Sequence, residues 1–571
     1  MRQLIKAIIY GLLVTGAAVF SFPFLWMAAS SVKVDRERQT KGFRLMPLTP
    51  RPQSRSPYVD DEHYKDLDGP YQEELLPALE KLVADSGFAF PAHVNEVRAT
   101  AQVARGVYDR LGQRLPGRLW AGKTPDGRPI GDRQAVVAAL LDAARKSVTN
   151  ELIHEVFGNV YRRLCMGPIR LRTYDRKEVE LGADGDPNRP LSTRLENETP
   201  DVVTLEDIRE KTERFALLRY DYSRGETFVL SRTFDVPEGF DLRRLHRVFV
   251  DVRPDDTWHE LRLTMEKLGR RFRAERLWPI ANYEVSTASW QERGPDDEST
   301  KIKTWIVMEP VGADEPAATG GEPLSDPRKI KLTFEFRRAG GAKAWWNKLA
   351  LNYNRVLDHM PFGRYLRVSL FLVIANIVLT LLFSSLVAYA FARLNWPGRD
   401  FCFILMLATM MIPHQVLMIP RFLIWKNLGA YNTLGPLWIG PVFGNAFFIF
   451  LLRQFLKTVP RDLEDAARID GCGFLRIYWH LMLPLIKPSL AAIAIFTFLG
   501  TWNNFMGPLI YIADQRLYPL AFGLYAFHVQ VGSNQALVMA GSLLMTVPVI
   551  VIFFFAQKYF IQGVTLTGMK A

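Results

Sequence analysis

Hydrophobic and polar positions alternate in two different ways along this chain. Six stretches contain no Asp, Glu, Lys or Arg: 7–32, 368–392, 401–420, 427–452, 488–513 and 517–557. Between residues 33 and 350 the longest such run is ten, Ser86–Asn95. A bilayer core about 30 Å thick is crossed by about 20 apolar residues of helix. The pattern therefore predicts six transmembrane helices, near Ala7–Val32, Arg367–Ala392, Phe401–Ile424, Leu434–Leu452, Pro488–Ile512 and Leu537–Gln557. It excludes both a purely soluble protein and a single-span anchor. Ala28-Ala29-Ser30 resembles a signal cleavage site, but 26 uncharged residues exceed a usual signal core, so the first run is read as a span.

The polar middle has its own periods. Residues 70–165 read as helical, with apolar residues three to four apart in Leu75–Val83, Val94–Leu111 and Val136–Leu164. Residues 166–340 read as eight short strands: Ile169–Tyr174, Ala216–Tyr222, Thr227–Phe234, His246–Val252, Glu260–Met265, Glu284–Trp290, Lys303–Val307 and Lys329–Arg337. Turn signals such as Arg253-Pro-Asp-Asp256 separate some of them, and the set predicts a β-sandwich of jelly-roll type. Segments 48–60 and 309–327, rich in Pro, Gly and Ser, read as linker. The organisation expected is a first span (1–33), an α+β insert (34–349) and a polytopic helical domain (350–571).

Charge follows the same division. Of the net charge of +12, +11 belongs to residues 1–32 and 351–571, leaving +1 for the 318 residues between them. The basic excess thus belongs to the membrane part and gives no support to nucleic-acid binding. Arg2 and Lys6 precede the first span, Arg393 and Arg399 follow the second, Arg453, Lys457 and Arg461 follow the fourth, and Lys558 and Lys570 follow the last. The positive-inside rule then places both termini in the cytoplasm and the insert outside, periplasmic or extracellular. Trp345 and Trp346 suit the membrane interface. Cys165, Cys402 and Cys472 imply no disulfide framework. Pro413, Pro420, Pro436, Pro441 and Pro548 sit in or beside spans, as helix ends and kinks or as irregular backbone lining a pathway.

The most informative stretch is the loop 459–484. Pro460 opens a helix, and Asp462, Glu464 and Asp465 favour its positive N-terminal end. Ala466 and Ala467 are small, Gly471 and Gly473 stop the helix, and a second amphipathic segment, Phe474–Leu483, ends at Pro484. Small side chains let a partner approach closely, with flanking charges to fix its register.

The spacing Asp465-Ala466-Ala467-x3-Gly471-x9-Leu481-x-Leu483-Pro484 resembles the EAA loop of ABC-importer permeases, with Asp465 for Glu and Leu481 for Ile. The resemblance is closest to the maltose-type carbohydrate permeases. It extends through Phe22–Lys33, Asn352-Tyr353, Ser384–Arg393, Met410–Pro413, Leu428–Thr433, Phe450–Phe455, Trp502–Phe505 and Tyr559–Lys570. Where relatives often carry Trp-Asn-Asp, this chain has Trp502-Asn503-Asn504. The resemblance implies an inner-membrane subunit forming half of a pathway for a carbohydrate or related solute. It also implies partners: a second permease, ATP-binding subunits that carry ATP and Mg, and an external solute-binding protein. On this reading Glu464, Asp465, Ala466, Ala467, Gly471, Leu481, Leu483 and Pro484 couple to the ATPase, while Pro413, Trp502, Asn503 and Asn504 are candidate pathway residues. No Gly-x4-Gly-Lys-Ser/Thr phosphate loop occurs, so ATP hydrolysis is expected elsewhere, with no cofactor or metal on this chain and no catalytic residue.

The resemblance covers none of the insert's interior, where the family usually has a loop of a few tens of residues. Trp258, Trp278, Trp290 and Trp305 are placed to fill a sandwich core or to stack on sugar rings. The pairs Asp255-Asp256 and Asp296-Asp297 read as solvated acidic turns or calcium ligands, and His63, His93, His154, His246 and His259 show no zinc spacing. Two other classes stay open at this point: a membrane-anchored sensor or enzyme acting through the insert, and an importer of an amino acid, polyamine or phosphate.

Overall fold

The computed structural model describes residues 2–34, 37, 45–61, 67, 69–124, 126–181, 195–210, 213–293, 305–311, 324–413, 415–532 and 534–565. The chain divides into two compact units, one holding residues up to Leu48 and from Leu349 onward, the other the stretch between.

In the unit formed by the middle of the chain, the helical part holds Gln72–Ala84, Glu96–Arg114, Arg133–Ser147 and Asn150–Val160. Their one-sided apolar stripes meet in a core of Leu75, Leu79, Val103, Val107, Leu140, Ile153 and Val156. The helix expected over Val136–Leu164 is two helices. Thr149 accepts the backbone N–H of Leu152 at 3.3 Å and so caps a fresh start, which interrupts an otherwise continuous apolar period.

Each of the eight expected strand runs overlaps a strand, though Lys303–Val307 does so only at Ile306 and Val307, with 303 and 304 outside the described residues. The main hydrogen-bonded path runs Glu213–Asp221, Leu164–Thr173, Leu245–Arg253, Ser286–Glu292, Ile306–Pro310, Arg270–Ala274, Glu260–Lys267, Lys329–Arg337 and Thr227–Asp235. All these pairings are antiparallel except Ser286–Glu292 with Ile306–Pro310. That parallel pairing joins what the sequence suggested as two facing jelly-roll sheets into one path. Inward residues from both ends of the path, Leu218 and Val250 with Phe228, Leu263 and Phe334, share one core, so the sheet folds over itself.

In the other unit, three helices among the described residues are long and apolar enough to cross a membrane: Ile8–Ser31, Phe362–Arg393 and Gln535–Phe555. Phe474–Leu485 and Lys487–Trp502, bent by 78°, make a fourth if taken together. The span expected over Phe401–Ile424 is divided into Arg399–Thr409 and Met418–Asn427, around Pro413. The span expected over Leu434–Leu452 becomes Gly435–Trp438, a 3-10 turn Gly440–Phe443, and Ala446–Thr458. Pro436 and Pro441 stand in the first turns of those short pieces, where a missing N–H loses no helical bond. Near the first helix end, the side-chain amide of Asn352 donates to the carbonyls of Ser31 and Lys33 at 2.8 and 3.0 Å, and the Ser31 and Tyr353 hydroxyls lie 2.8 Å apart.

Candidate coupling site

The helix Asp462–Ile469 begins with three acidic residues in its first turn, which stabilise its positive end. It stops at Gly471, where φ is +77°. The N–H of Cys472 bonds the carbonyl of Ala467 and the N–H of Gly471 bonds that of Arg468, both at 2.9 Å, which satisfies the last carbonyls of the helix. Ala467 and Cys472 both pack against the core formed by Tyr389, Leu456, Tyr478 and Met482.

The second segment runs further than the sequence suggests. Phe474–Ile477 and Leu483–Leu485 flank a π-helical turn, Tyr478–Met482, so Pro484 lies inside the segment. In a regular helix the Pro484 ring would meet the carbonyl of His480, and a wide turn directly before it is the local solution.

The loop has two unlike faces. Glu464 is buried inward, and its Oε1 lies 3.0 Å from Nε of Arg393, with side chains 5% and 3% exposed. This ion pair is out of line for a hydrogen bond. A second nitrogen of Arg393 is engaged, since Nη2 donates to the carbonyls of Leu456 and Val459. Arg468 reaches Glu464 and Asp465 more loosely, at 3.9 and 3.8 Å. On the same inner side, the Ser385 and Tyr478 hydroxyls are 2.7 Å apart, and Tyr389 donates to the carbonyl of Phe474 at 3.3 Å. The opposite face is open: Asp465 and Ala466 are exposed, as are Leu463, Ile469, Phe474, Leu475 and Trp479, with Ile469 at 87%. Leu481 and Leu483 are half-buried and Pro484 is exposed. Sequence reasoning read Arg393 as an orientation signal and missed its ion pair. Its signal was an arginine, rather than an apolar residue, ending a 32-residue apolar helix.

The candidate pathway residues differ in setting. Trp502 is buried against Phe498, with its indole N–H 3.3 Å from the carbonyl of Met545. Asn503 and Asn504 are exposed and bond within their own turn, and Pro413 is exposed in the break after Arg399–Thr409.

In the insert, three of the four candidate tryptophans are core residues and the fourth is half-buried. Trp290, Trp258 and Trp305 are 0%, 2% and 8% exposed, Arg247 lies over the Trp305 ring at 3.8 Å, and Trp278 packs against the same core. No open ring face is left on the three buried ones for a sugar. Asp255 is fully buried and accepts from Tyr220 and Thr257 at 2.7 and 2.6 Å, so it serves as an internal acceptor and not as an acidic turn offering calcium ligands. Burial, and then Asp255, push the Tyr220 hydroxyl well above its usual range. Asp256 accepts the N–H of Asn282 at 3.1 Å. Asp296, Asp297, His63 and most of 309–327 lie outside the described residues, as does the end of the tail Tyr559–Lys570. Among the described residues no three His, Cys, Asp or Glu gather as metal ligands.

Residues 380–566, which include the whole loop, match the binding-protein-dependent transport system inner membrane component family. Over 202 residues the chain is 41% identical to the arabinooligosaccharides transport system permease protein AraQ of Halalkalibacterium halodurans, covering 35% of this chain and 72% of that protein. The chain belongs to this permease family. AraQ of Bacillus subtilis is 39% identical with the same coverage, and the diacetylchitobiose uptake system permease protein NgcG of Streptomyces coelicolor is 32% identical over 39% of this chain and 68% of its own. A crystal structure of a bacterial ABC transporter for alginate import is 28% identical and covers 37% of this chain and 79% of its own, with a TM-score of 0.33. This permease is thus a multi-pass helical inner-membrane subunit of an ABC importer, carrying a large β-rich region outside the matched residues.

Proposed function

We propose that this permease forms half of the membrane pathway for ATP-driven uptake of a carbohydrate, with 459–484 as its docking loop for a separate ATP-binding subunit. The two-faced build of that loop carries the reading: Glu464 is locked inward while Asp465, Ala466, Ile469 and Trp479 stay open to a partner. Exposed apolar side chains in such a patch mark a contact surface. The solute class rests on relatives named for oligosaccharide uptake. The assembly would hold a second permease, ATP-binding subunits carrying ATP and Mg, and an external solute-binding protein. Nucleotide-driven closure of the ATPase would then favour the outward-facing state by shifting populations.

Loop charges support six crossings, with the two broken helices each counted as one, both termini cytoplasmic and the insert outside. There the insert would receive the solute-binding protein or touch the solute. Co-purification with mass spectrometry of partners and bound solute tests the whole reading, and a complex lacking any ATP-binding subunit overturns it. Gly471→Pro or Ala467→Glu should uncouple ATP turnover from uptake while leaving membrane insertion intact. Unchanged uptake in both would remove the loop from the mechanism.

A further inference from the structure

Resting on the coupling reading of the loop, we propose that Arg393 is the positioning residue that carries movement of helix Asp462–Ile469 into two membrane helices. Arg393 is the last residue of Phe362–Arg393, its Nη2 holds the final carbonyls of Ala446–Thr458 at Leu456 and beyond it at Val459, and its Nε faces Glu464 at 3.0 Å. Three elements therefore meet on one guanidinium, whose planar set of donors a lysine does not reproduce.

A buried ion pair of this kind is a poor source of stability, because desolvating both charges costs about what their attraction returns. Its value lies in specificity. Glu464 cannot leave Arg393 without stranding a buried charge, so displacement of the coupling helix draws the arginine with it. Arg468 offers no equal route, being about half exposed and 3.9 Å away. Upstream, Phe362–Arg393 contributes Ala388 and Tyr389 to one membrane core and Tyr365 and Val373 to the other, where they meet Trp502 and Leu537. A shift at its last residue is felt along the whole helix, since packed interiors transmit displacement.

Hydrogen exchange of the complete transporter, with and without Mg-ATP, tests this without knowledge of the solute. In the native complex, nucleotide should change exchange in peptides from Asp462–Ile469, from the end of Phe362–Arg393 and from Ala446–Thr458. In Arg393→Met and in Glu464→Gln, the nucleotide-dependent change should persist in the coupling helix and fall about ten-fold in the two membrane helices, within the range of mutations that modulate coupling between sites. The double variant should fall no further than the worse single, because the two charges act as a unit. A purely structural role would raise exchange equally with and without nucleotide. If Arg393→Met does not assemble, Glu464→Gln, which removes charge at constant shape, decides the matter alone. Persistence of the nucleotide effect in the membrane helices, or additivity in the double variant, overturns the proposal while the docking reading stands. Absence of any nucleotide effect on the native coupling helix overturns the docking reading itself.

Discussion

The hydroxyls of Ser385 and Tyr478 lie 2.7 Å apart, joining helix Phe362–Arg393 to the wide turn Tyr478–Met482. The two partners are not equivalent. Ser385 also donates to the carbonyl of Leu381, so it keeps a partner when Tyr478 is lost. Among the described residues Tyr478 has no such reserve, and it is 1% exposed. Tyr478→Phe should therefore cost about 0.5–1 kcal/mol, and Ser385→Ala, which strands a buried hydroxyl, about 1–3 kcal/mol. Thermal unfolding of the detergent-solubilised chain checks the order, and equal losses would refute it.

Gly471 stands at φ +77° with open space where a Cβ would go. Substitution there meets strain without a clash. Gly471→Ala should lose about 1–2 kcal/mol. Gly471→Asn should lose less than half of that, since Asn accepts the left-handed region more readily. Denaturant unfolding of both variants provides the measurement, with equal losses as the contrary result.

His259 predicts an acid-sensitive insert. Its Nδ1 accepts the N–H of Ala339 at 3.1 Å, so its Nε2–H donates to the carbonyl of Gln53 at 2.8 Å, tying together the two ends of the polar middle unit. Burial pushes the imidazole below its usual range, Asp255 and Glu260 pull it back up, and Arg338 adds to the lowering; Tyr220 and Tyr222 face the ring edge-on. A folded value below the unfolded one means that the unfolded chain takes the proton first. This contribution is then complete above about pH 6.5 and is lost as the pH falls below it. The unfolding midpoint should drop from pH 7.5 to pH 5.5, and His259→Phe should flatten that slope. His93, lowered chiefly by burial, loses stability in the same direction, so His93→Phe serves as the comparison. A slope unchanged in His259→Phe would contradict the assignment.

Trp290 is fully buried in the sheet core beside Ala288 and Met308. Trp290→Ala should cost about 3–5 kcal/mol through the cavity it leaves. Intrinsic fluorescence during urea unfolding would show it, and a loss under about 1 kcal/mol would place the ring outside the core.

Much of this architecture was legible in the chain itself, because burial imposes periods that sequence displays. The strands Lys329–Arg337 and Thr227–Asp235 alternate, and Glu96–Arg114 carries a clear helical stripe. Arg270–Ala274 and Val203–Glu210 show no strand pattern in the sequence because so many of their residues are charged, and their pairing supplies what local pattern lacks. The long uncharged runs located apolar helices, while the breaks near Pro413 and Pro441 were signalled by the prolines alone, since hydropathy is blind to a missing N–H. In the loop, spacing exposed the motif, yet which acidic residue turns inward depends on Arg393, 71 positions earlier.

Asn352 and Ser31 meet across 321 positions of sequence. Polymer statistics give that distance an unexpected meaning: closing a loop grows costlier only with the logarithm of its length, about 0.6 kcal/mol for each doubling. Once the joint is fastened at Asn352, the length of chain between its two sides scarcely burdens the membrane helices. A permease fastened in this way is free to acquire, enlarge or exchange the domain it carries while its membrane helices keep the same joint.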